Sequence, residues 1–472
     1  MAGQDYTDEQ NSGGDATMTT RRDMMKAALA GTLATVGAPG LAAERDRAPR
    51  VPDLSFLREE PLMNEDRARH FMAREGLDAL VVTHPANVFY LSNHWPQLDR
   101  MGFKDSAMAI FSRDPKRPLA VLMHAFLYYY THSPESAFYD RLVFPYTAPA
   151  DPDAEPGEGE PAAAPARTRT ERGMAPISAR NQRRKEMLSK TEPVAPGVSW
   201  ALARALRQLG LEGGVIGSDN PRVARLAAER GVDATFRDGE NTIRRIRLAK
   251  SPTEIKLMRM AAQQNVDAAV TAAKLVRELG TAANLRARFF AEAELRGNRG
   301  VFMVVNGTSA EVIDEPLVDG MAFSIDCVSH CRHYHGDFAR TIFVGEPHPN
   351  MVKVTNGIAT AWQDIRQQLR PGMRFVDIPP IGKASLKKQG LELNVSFTPH
   401  SVGLFHTDHP HPSLLEGRTI EGLVLEENMV LSVDCPPIDA GIGGTAHLED
   451  LMLIKQGGAE PIHDVPPGVF VV

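Results

Sequence analysis

The stretch FSIDCVSHCRHYHGDFARTIFVG, residues 323–345, places the tightest constraint on what this chain can become. It holds two carboxylates, Asp326 and Asp337, eleven positions apart, each flanked by strand-forming residues. Such a segment turns back on itself and brings both acids to one point. Carboxylates gathered without a basic side chain beside them repel one another, and a divalent cation relieves the repulsion. Further ligands of the same hardness are therefore expected downstream. His400, Asp434 and Glu449 are the candidates.

Their surroundings also read as strands. Side chains two apart on a strand share a face, so the alternation at 321–326 turns Asp326 and Cys327 to opposite sides. Residues 340–344 form a second strand just after Asp337. The stretch 399–404 sets His400 before a glycine turn, and 430–434 is a strand ending in Asp434. In 445–454, alternation puts His447 and Glu449 on one face. Cys327 and Cys435 each follow a candidate ligand, which points to two related halves of one fold. Both thiols are expected to face away from the acids as small buried apolar side chains; a bridge between them is the weaker reading.

With 472 residues the chain has room for two or three domains, and three cysteines (Cys327, Cys331, Cys435) exclude a disulfide framework. A net charge of −6 is too mild to argue for nucleic acid or an anionic membrane as partner. Residues 1–50 read as leader rather than fold. Arg21 and Arg22 precede an apolar run at 27–36, followed by Pro39, Gly40 and Ala42-Ala43. This resembles a bacterial twin-arginine export signal, which implies a periplasmic or secreted protein that meets the export machinery already folded. The run is too short and too weak for a stable membrane span.

Asn64 caps a predicted helix that runs to Glu75 and stops at Gly76. Strands are predicted at 77–83, 88–91, 107–111 and 119–123, then a helix at 200–209 and a strand at 214–217, an α/β alternation. Residues 147–190 interrupt it as a disordered insertion: an Ala/Pro/Glu/Gly stretch without large apolar side chains, then a basic run. Near 245 the character changes. Ser251-Pro252-Thr253-Glu254 is a capping box with proline at the first helical position, and Ile255, Met258, Ala262, Val266 and Ala269 continue it as one apolar stripe. The predicted domains are 51–245 and 246–472.

The order Asp, eleven on Asp, then His, acid and Glu resembles the pita-bread metalloenzymes: aminopeptidase P, prolidase, methionine aminopeptidase and the metal-free creatinase. Residues 247–262 resemble the helix that opens their catalytic domain, and 77–91 the start of the creatinase-type N-terminal domain. The resemblance implies an α/β N-terminal, creatinase-like domain followed by an α+β pita-bread catalytic domain. It implies two divalent ions (Mn, Co, Zn or Fe), with Asp326 serving one, Asp337 and Glu449 bridging, and His400 and Asp434 completing the other. It implies amide hydrolysis of the Xaa-Pro aminopeptidase or dipeptidase type. Asp434 would move the proton, and His406 or His409 would bind substrate or stabilise the intermediate. His447, Tyr334, Arg340 and His335 would stand around the ligands, with Tyr334 and Arg340 ordering Asp337. A homodimer is implied, since in this branch one subunit's N-terminal domain shapes its partner's site.

Three departures separate the chain from that pattern. Asp434 stands where the family has Glu. The histidine some seventeen positions before the first Asp is missing. His447 replaces the Arg two before the final Glu, while Thr407 occupies the place of a substrate-facing histidine seven on from His400. These leave a second reading open, a small-molecule enzyme of creatinase-like amidinohydrolase or dimethylsulfoniopropionate lyase type. A third is a non-catalytic, peptidase-like binding domain.

Overall fold

The computed structural model describes residues 52–131, 141–147, 178–308, 312–346, 348–410, 421–439, 444–464 and 470–472. The export signal expected within 1–50 lies outside the described residues, as does most of the predicted insertion. Among the described residues no helix is long and apolar enough to cross a membrane.

The first half is a six-stranded mixed sheet flanked by helices. Its strands are β1 (Ala79–Val82), β2 (Ala107–Ser112), β3 (Leu119–His124), β4 (Arg141–Tyr146), β5 (Val215–Ser218) and β6 (Thr235–Asp238), in the order β4-β3-β2-β1-β5-β6. Helix α1 (Glu65–Glu75) begins where Asn64 accepts a hydrogen bond from the Arg67 N–H and ends at Gly76, whose φ of 68° suits a residue without Cβ. Helix α2 (Pro85–Ser92) corrects the sequence reading, which made 88–91 a strand. The His84 side chain caps it, Pro85 sits at its first turn, and every residue is buried. A helix buried on all sides shows no 3.6-residue period to distinguish it from a buried strand. Helix α3 (Ala179–Leu188) is a second correction, because it stands inside the stretch read as disordered; Ser178 caps it. Helix α4 (Val198–Gln208) forms as expected.

Helix α5 (Glu240–Leu248) runs across the boundary drawn at 245, so the two halves join within a continuous helix. Helix α6 (Pro252–Ala273) opens with the full capping box of Ser251 and Glu254. The second half contains β7 (Arg299–Val305), β8 (Ala322–Cys331), β9 (Tyr334–Phe343), β10 (Asn394–Val395), β11 (Thr398–Ser401), β12 (Val430–Asp434), β13 (Pro437–Asp439), β14 (Glu449–Asp450), β15 (Met452–Lys455), β16 (Gly458–Pro461) and β17 (Phe470–Val471). One sheet has the order β14-β9-β8-β7 with β17 also on β9, another β11-β12-β15-β16, and β10 pairs β13. The second carboxylate strand starts earlier than expected, so Asp337 lies within β9 rather than before it.

Two apolar clusters fix the sheets of the second half. Phe289, Phe323, Ile325, Cys327, Phe338 and Ile342 lie between helix and β8–β9, and Phe375, Phe397, Leu431, Val433, Cys435 and Met452 beneath β12. The three cysteines are buried and free, so the Cys327–Cys435 bridge does not form. Gly336 in β9 is where helix α6 comes closest. A Cβ there would sit 2.6 Å from the Ala261 carbonyl oxygen and 2.7 Å from Asn265 Cβ, so only glycine fits.

Candidate metal centre

The β8–β9 ladder fixes the first two acids. Asp326 opposes Ala339 and Asp337 opposes Val328, so the two carboxylates are diagonal neighbours on one face. Strand β14 extends the row, with Glu449 opposite Ala339 on its other side. The methyl of Ala339 thus separates Asp326 from Glu449 and leaves room above the sheet. The other sheet repeats the arrangement. Thr398 opposes Asp434 and His400 opposes Ser432, which makes His400 and Asp434 diagonal neighbours as well. The related halves inferred from the two Asp-Cys pairs correspond to these two strand pairs.

The five side chains meet. His400 Nε2 lies 3.6 Å from Asp337, 3.5 Å from Asp434 and 3.4 Å from Glu449. Its Nδ1 is 3.2 Å from the His406 carbonyl, which accepts only from an N–H, so Nε2 is the nitrogen turned to the acids. Ser432 Oγ donates to Glu449. Three groups of possible ligand atoms form, each within 4.8 Å of one another: Asp337, His400 and His406; Asp326, His447 and Glu449; and His400, Asp434 and Glu449.

The electrostatics of this cluster suit a cation held among the acids. Burial raises the Asp326 carboxyl well above its ordinary range, and the Asp337 and Asp434 charges add to that. Burial and the same two neighbours push Glu449 up as well. Burial opposes charge on His400, but the hydrogen bond and charge of Asp434, with Asp337 beyond, raise its imidazole to about 9. Asp434 is held well below the usual carboxylate range by His400 and Glu449 in spite of burial. Asp326 Oδ1, Asp337 Oδ1 and His447 Nε2 are buried without a hydrogen-bond partner, and such orphaned atoms are costly unless an ion or water meets them. Among the described residues no Lys or Arg makes an ion pair with any of the four acids. The donor set therefore fits divalent ions.

The surrounding residues divide differently from the sequence reading. His406 Nε2 is 3.0 Å from Asp337 Oδ2, and its side chain is 34 % exposed, so it faces both the acids and the solvent side. His409 is instead held by the Ser401 N–H at 3.4 Å and by the edge of Phe375, outside the three ligand groups. Arg340 does not order Asp337. It makes a forked pair with Asp450 at 2.7 and 2.9 Å and donates to the Glu449 carbonyl, anchoring β14. Tyr334 donates to Glu254 at 3.1 Å, again not to Asp337. His335 is pinned to the Gly403 carbonyl. Burial and nearby His406 lower its imidazole to about 4, although the bond to Gly403 opposes them.

Sequence reasoning missed Asp408. It is fully buried, paired with Arg247 at 2.8 Å and 3.8 Å from Lys250 Nζ, and it accepts the Leu404 N–H. Arg247 also donates to Asn87 on α2, and Asn87 donates to Asp219 and Glu240. The turn that carries His406 is thereby tied to the N-terminal half. Gly403 belongs to this arrangement, since a Cβ there would collide with Asp408 and Lys250. The sequence signal was an acid inside the histidine-rich loop, read only for its histidines.

Residues 256–456 match the profile of Metallopeptidase family M24, and residues 66–143 that of the Creatinase/Prolidase N-terminal domain. A probable dipeptidase PepE from Mycobacterium tuberculosis is 26 % identical over 245 residues, 49 % of this chain and 63 % of that protein. An Xaa-Pro dipeptidase from Pyrococcus furiosus is 24 % identical over 244 residues, 48 % of this chain and 66 % of that protein. The chain thus spans just under two thirds of the curated relatives it matches. The crystal structure of a dipeptidase from Pyrococcus horikoshii superposes with a TM-score of 0.59 at 16 % identity, covering 87 % of this chain and all of that one; this likeness concerns the fold.

Proposed function

From the premise that this chain carries an M24 metallopeptidase-family domain behind a creatinase/prolidase-type N-terminal domain, we propose that it is a metal-dependent hydrolase of the Xaa-Pro dipeptidase or aminopeptidase type. The observation that carries the reading is the convergence of Asp326, Asp337, His400, Asp434 and Glu449 from two sheets onto one point where, among the described residues, no Lys or Arg pairs with the acids. A pair of divalent ions held there would polarise a carbonyl and acidify a water. The dinuclear count and the choice among Mn, Co, Zn and Fe belong to the proposal.

The protein's own groups have distinct roles. Asp337 and Glu449 hold the centre of the cluster, with Asp326 at one end and His400 and Asp434 at the other. The Asp434 side chain is 29 % exposed and contacts His400, so it is the group that moves a proton between substrate and the interior. Its reach is one methylene shorter than a Glu. His406 stands at the open edge beside Asp337, placed to donate to charge developing on substrate. His409 accepts from the Ser401 N–H and packs on Phe375, outside the three ligand groups, so the reading gives this role to His406 first.

The reading extends to an exported, periplasmic or secreted protein of a bacterium, delivered by the twin-arginine route, with domains at 51–245 and 246–472 and a homodimeric state. One observation favours the small-molecule alternative: the imidazole environment differs from the peptidase pattern, with Thr407 and His447 at two of its positions. A panel of Xaa-Pro dipeptides, betaines and guanidino compounds, assayed with the metal-loaded full chain, separates the two. Turnover confined to the dipeptides supports the proposal. Turnover confined to the small molecules, or none on any member of the panel, overturns it.

A further inference from the structure

We propose that His447 is a direct metal ligand at the Asp326 end of the centre, giving this chain an imidazole at both ends. The inference rests on the metal-centre reading above and specifies its inner coordination.

His447 stands two residues before Glu449, and its Nε2 is 3.8 Å from Glu449 Oε2. With Asp326 it completes one of the three groups whose ligand atoms lie within 4.8 Å of one another. This nitrogen is buried and has no hydrogen-bond partner, and neither has the facing Asp326 Oδ1. A single ion between them satisfies both atoms, and no described protein group does. The backbone holds the ring in place. The His447 N–H donates to Thr341 Oγ1 at 3.1 Å, and the same hydroxyl approaches the His447 carbonyl, so β9 sets where the ring points. At 9 % exposure the residue has little surface to offer a substrate.

Charge balance agrees. The four acids carry −4 when ionised, which two divalent ions neutralise. A neutral imidazole leaves that balance intact, and it adds a nitrogen donor to an end otherwise made of carboxylates. Nitrogen donors favour Co, Zn and Fe over Mn. The chain should therefore discriminate against Mn more strongly than a centre with a single imidazole.

The test uses the metal-free full chain titrated with Co(II) and Zn(II) by calorimetry, with zinc-edge X-ray absorption to count imidazoles. Wild type should bind two ions with on average one imidazole per zinc. H447Q should weaken one ion by more than about 100-fold, beyond the 10–100-fold expected of a merely supporting contact, leave the other ion in place and, with both sites filled by excess zinc, halve the imidazoles per zinc. Competition in H447Q should shift toward Mn. Circular dichroism of the metal-free variant checks folding; if it fails, the imidazole count of H406Q decides, because that variant removes the other imidazole grouped with Asp337 and His400. Two tight ions in H447Q, or half an imidazole per zinc in wild type, overturns the assignment and leaves the centre standing. No ion bound by wild type overturns both readings.

Discussion

Asp408→Ala should be far more damaging than its distance from solvent chemistry implies. Asp408, Arg247 and Lys250 have side chains with 0 % exposure, and the carboxylate receives Arg247 at 2.8 and 3.1 Å. Deleting one partner of a buried pair leaves the other charge uncompensated, at a cost of about 3–5 kcal/mol. Here a guanidinium loses its carboxylate and an ammonium its nearest anion. Asn87 remains bonded to Arg247 and keeps the loss within that range. A fall in Tm on the order of 3–6 °C is expected for a chain of this size, read by circular dichroism on the full chain. Arg374 and Asp377 form an equally short pair, 2.6 Å, but with side chains 62 % and 40 % exposed. Asp377→Ala should leave Tm essentially unmoved, because solvent screens such pairs. The pH dependence has a definite sign. Burial alone would raise the Asp408 carboxyl, yet Arg247 and Lys250 hold it at about 2, below its ordinary 3.8. Its stabilisation is therefore complete above about pH 4 and is lost as pH falls toward 2, so the penalty of the variant should shrink over that window. Equal Tm for the two variants, or a penalty unchanged between about pH 6 and pH 3, would refute this reasoning.

Two further outcomes follow from the same contacts. Gly336→Ala forces β9 away from the α6 backbone, because the obstacle is the Ala261 carbonyl rather than a movable side-chain tip. It should cost on the order of 1–3 kcal/mol, read as a lower denaturant midpoint, and should weaken metal retention through the neighbouring Asp337; a variant with wild-type midpoint and wild-type metal content contradicts this. In the metal-free protein, burial and neighbouring acids raise Asp326 and Glu449. Groups with raised folded values stabilise below their unfolded values and lose that contribution as pH rises, so metal-free stability should fall above about pH 4–5, and metal loading should abolish the slope. Parallel Tm profiles with and without metal would count against it.

Much of the site was legible because its chemistry is local. The spacing of Asp326 and Asp337 and the alternation around Asp434 and Glu449 are properties of strands, which put these side chains on predictable faces. The Ser251–Glu254 box announced α6 through backbone bonds formed within one turn. What failed depended on tertiary surroundings. Helix α2 is buried on every side, so the pattern that separates helix from strand is absent. Arg340 and Tyr334 sit beside Asp337 in sequence, but strand alternation and the approach of β14 and α6 sent them to Asp450 and Glu254. His406 and His409 were equivalent as letters; the fold sets one ring against Asp337 and the other against Phe375. The Arg247–Asp408 pair spans 161 positions and left no local trace.

The central claim is that Asp326, Asp337, His400, Asp434 and Glu449 gather to hold cations. Metal analysis by mass spectrometry of the full chain, reconstituted and then freed of loosely bound ions, tests it most directly against Asp337→Ala. Two tightly held divalent ions per wild-type chain are predicted, and their loss, together with turnover, in the variant. Wild-type protein that retains no divalent ion, or a variant that retains its metal and its activity, would contradict it.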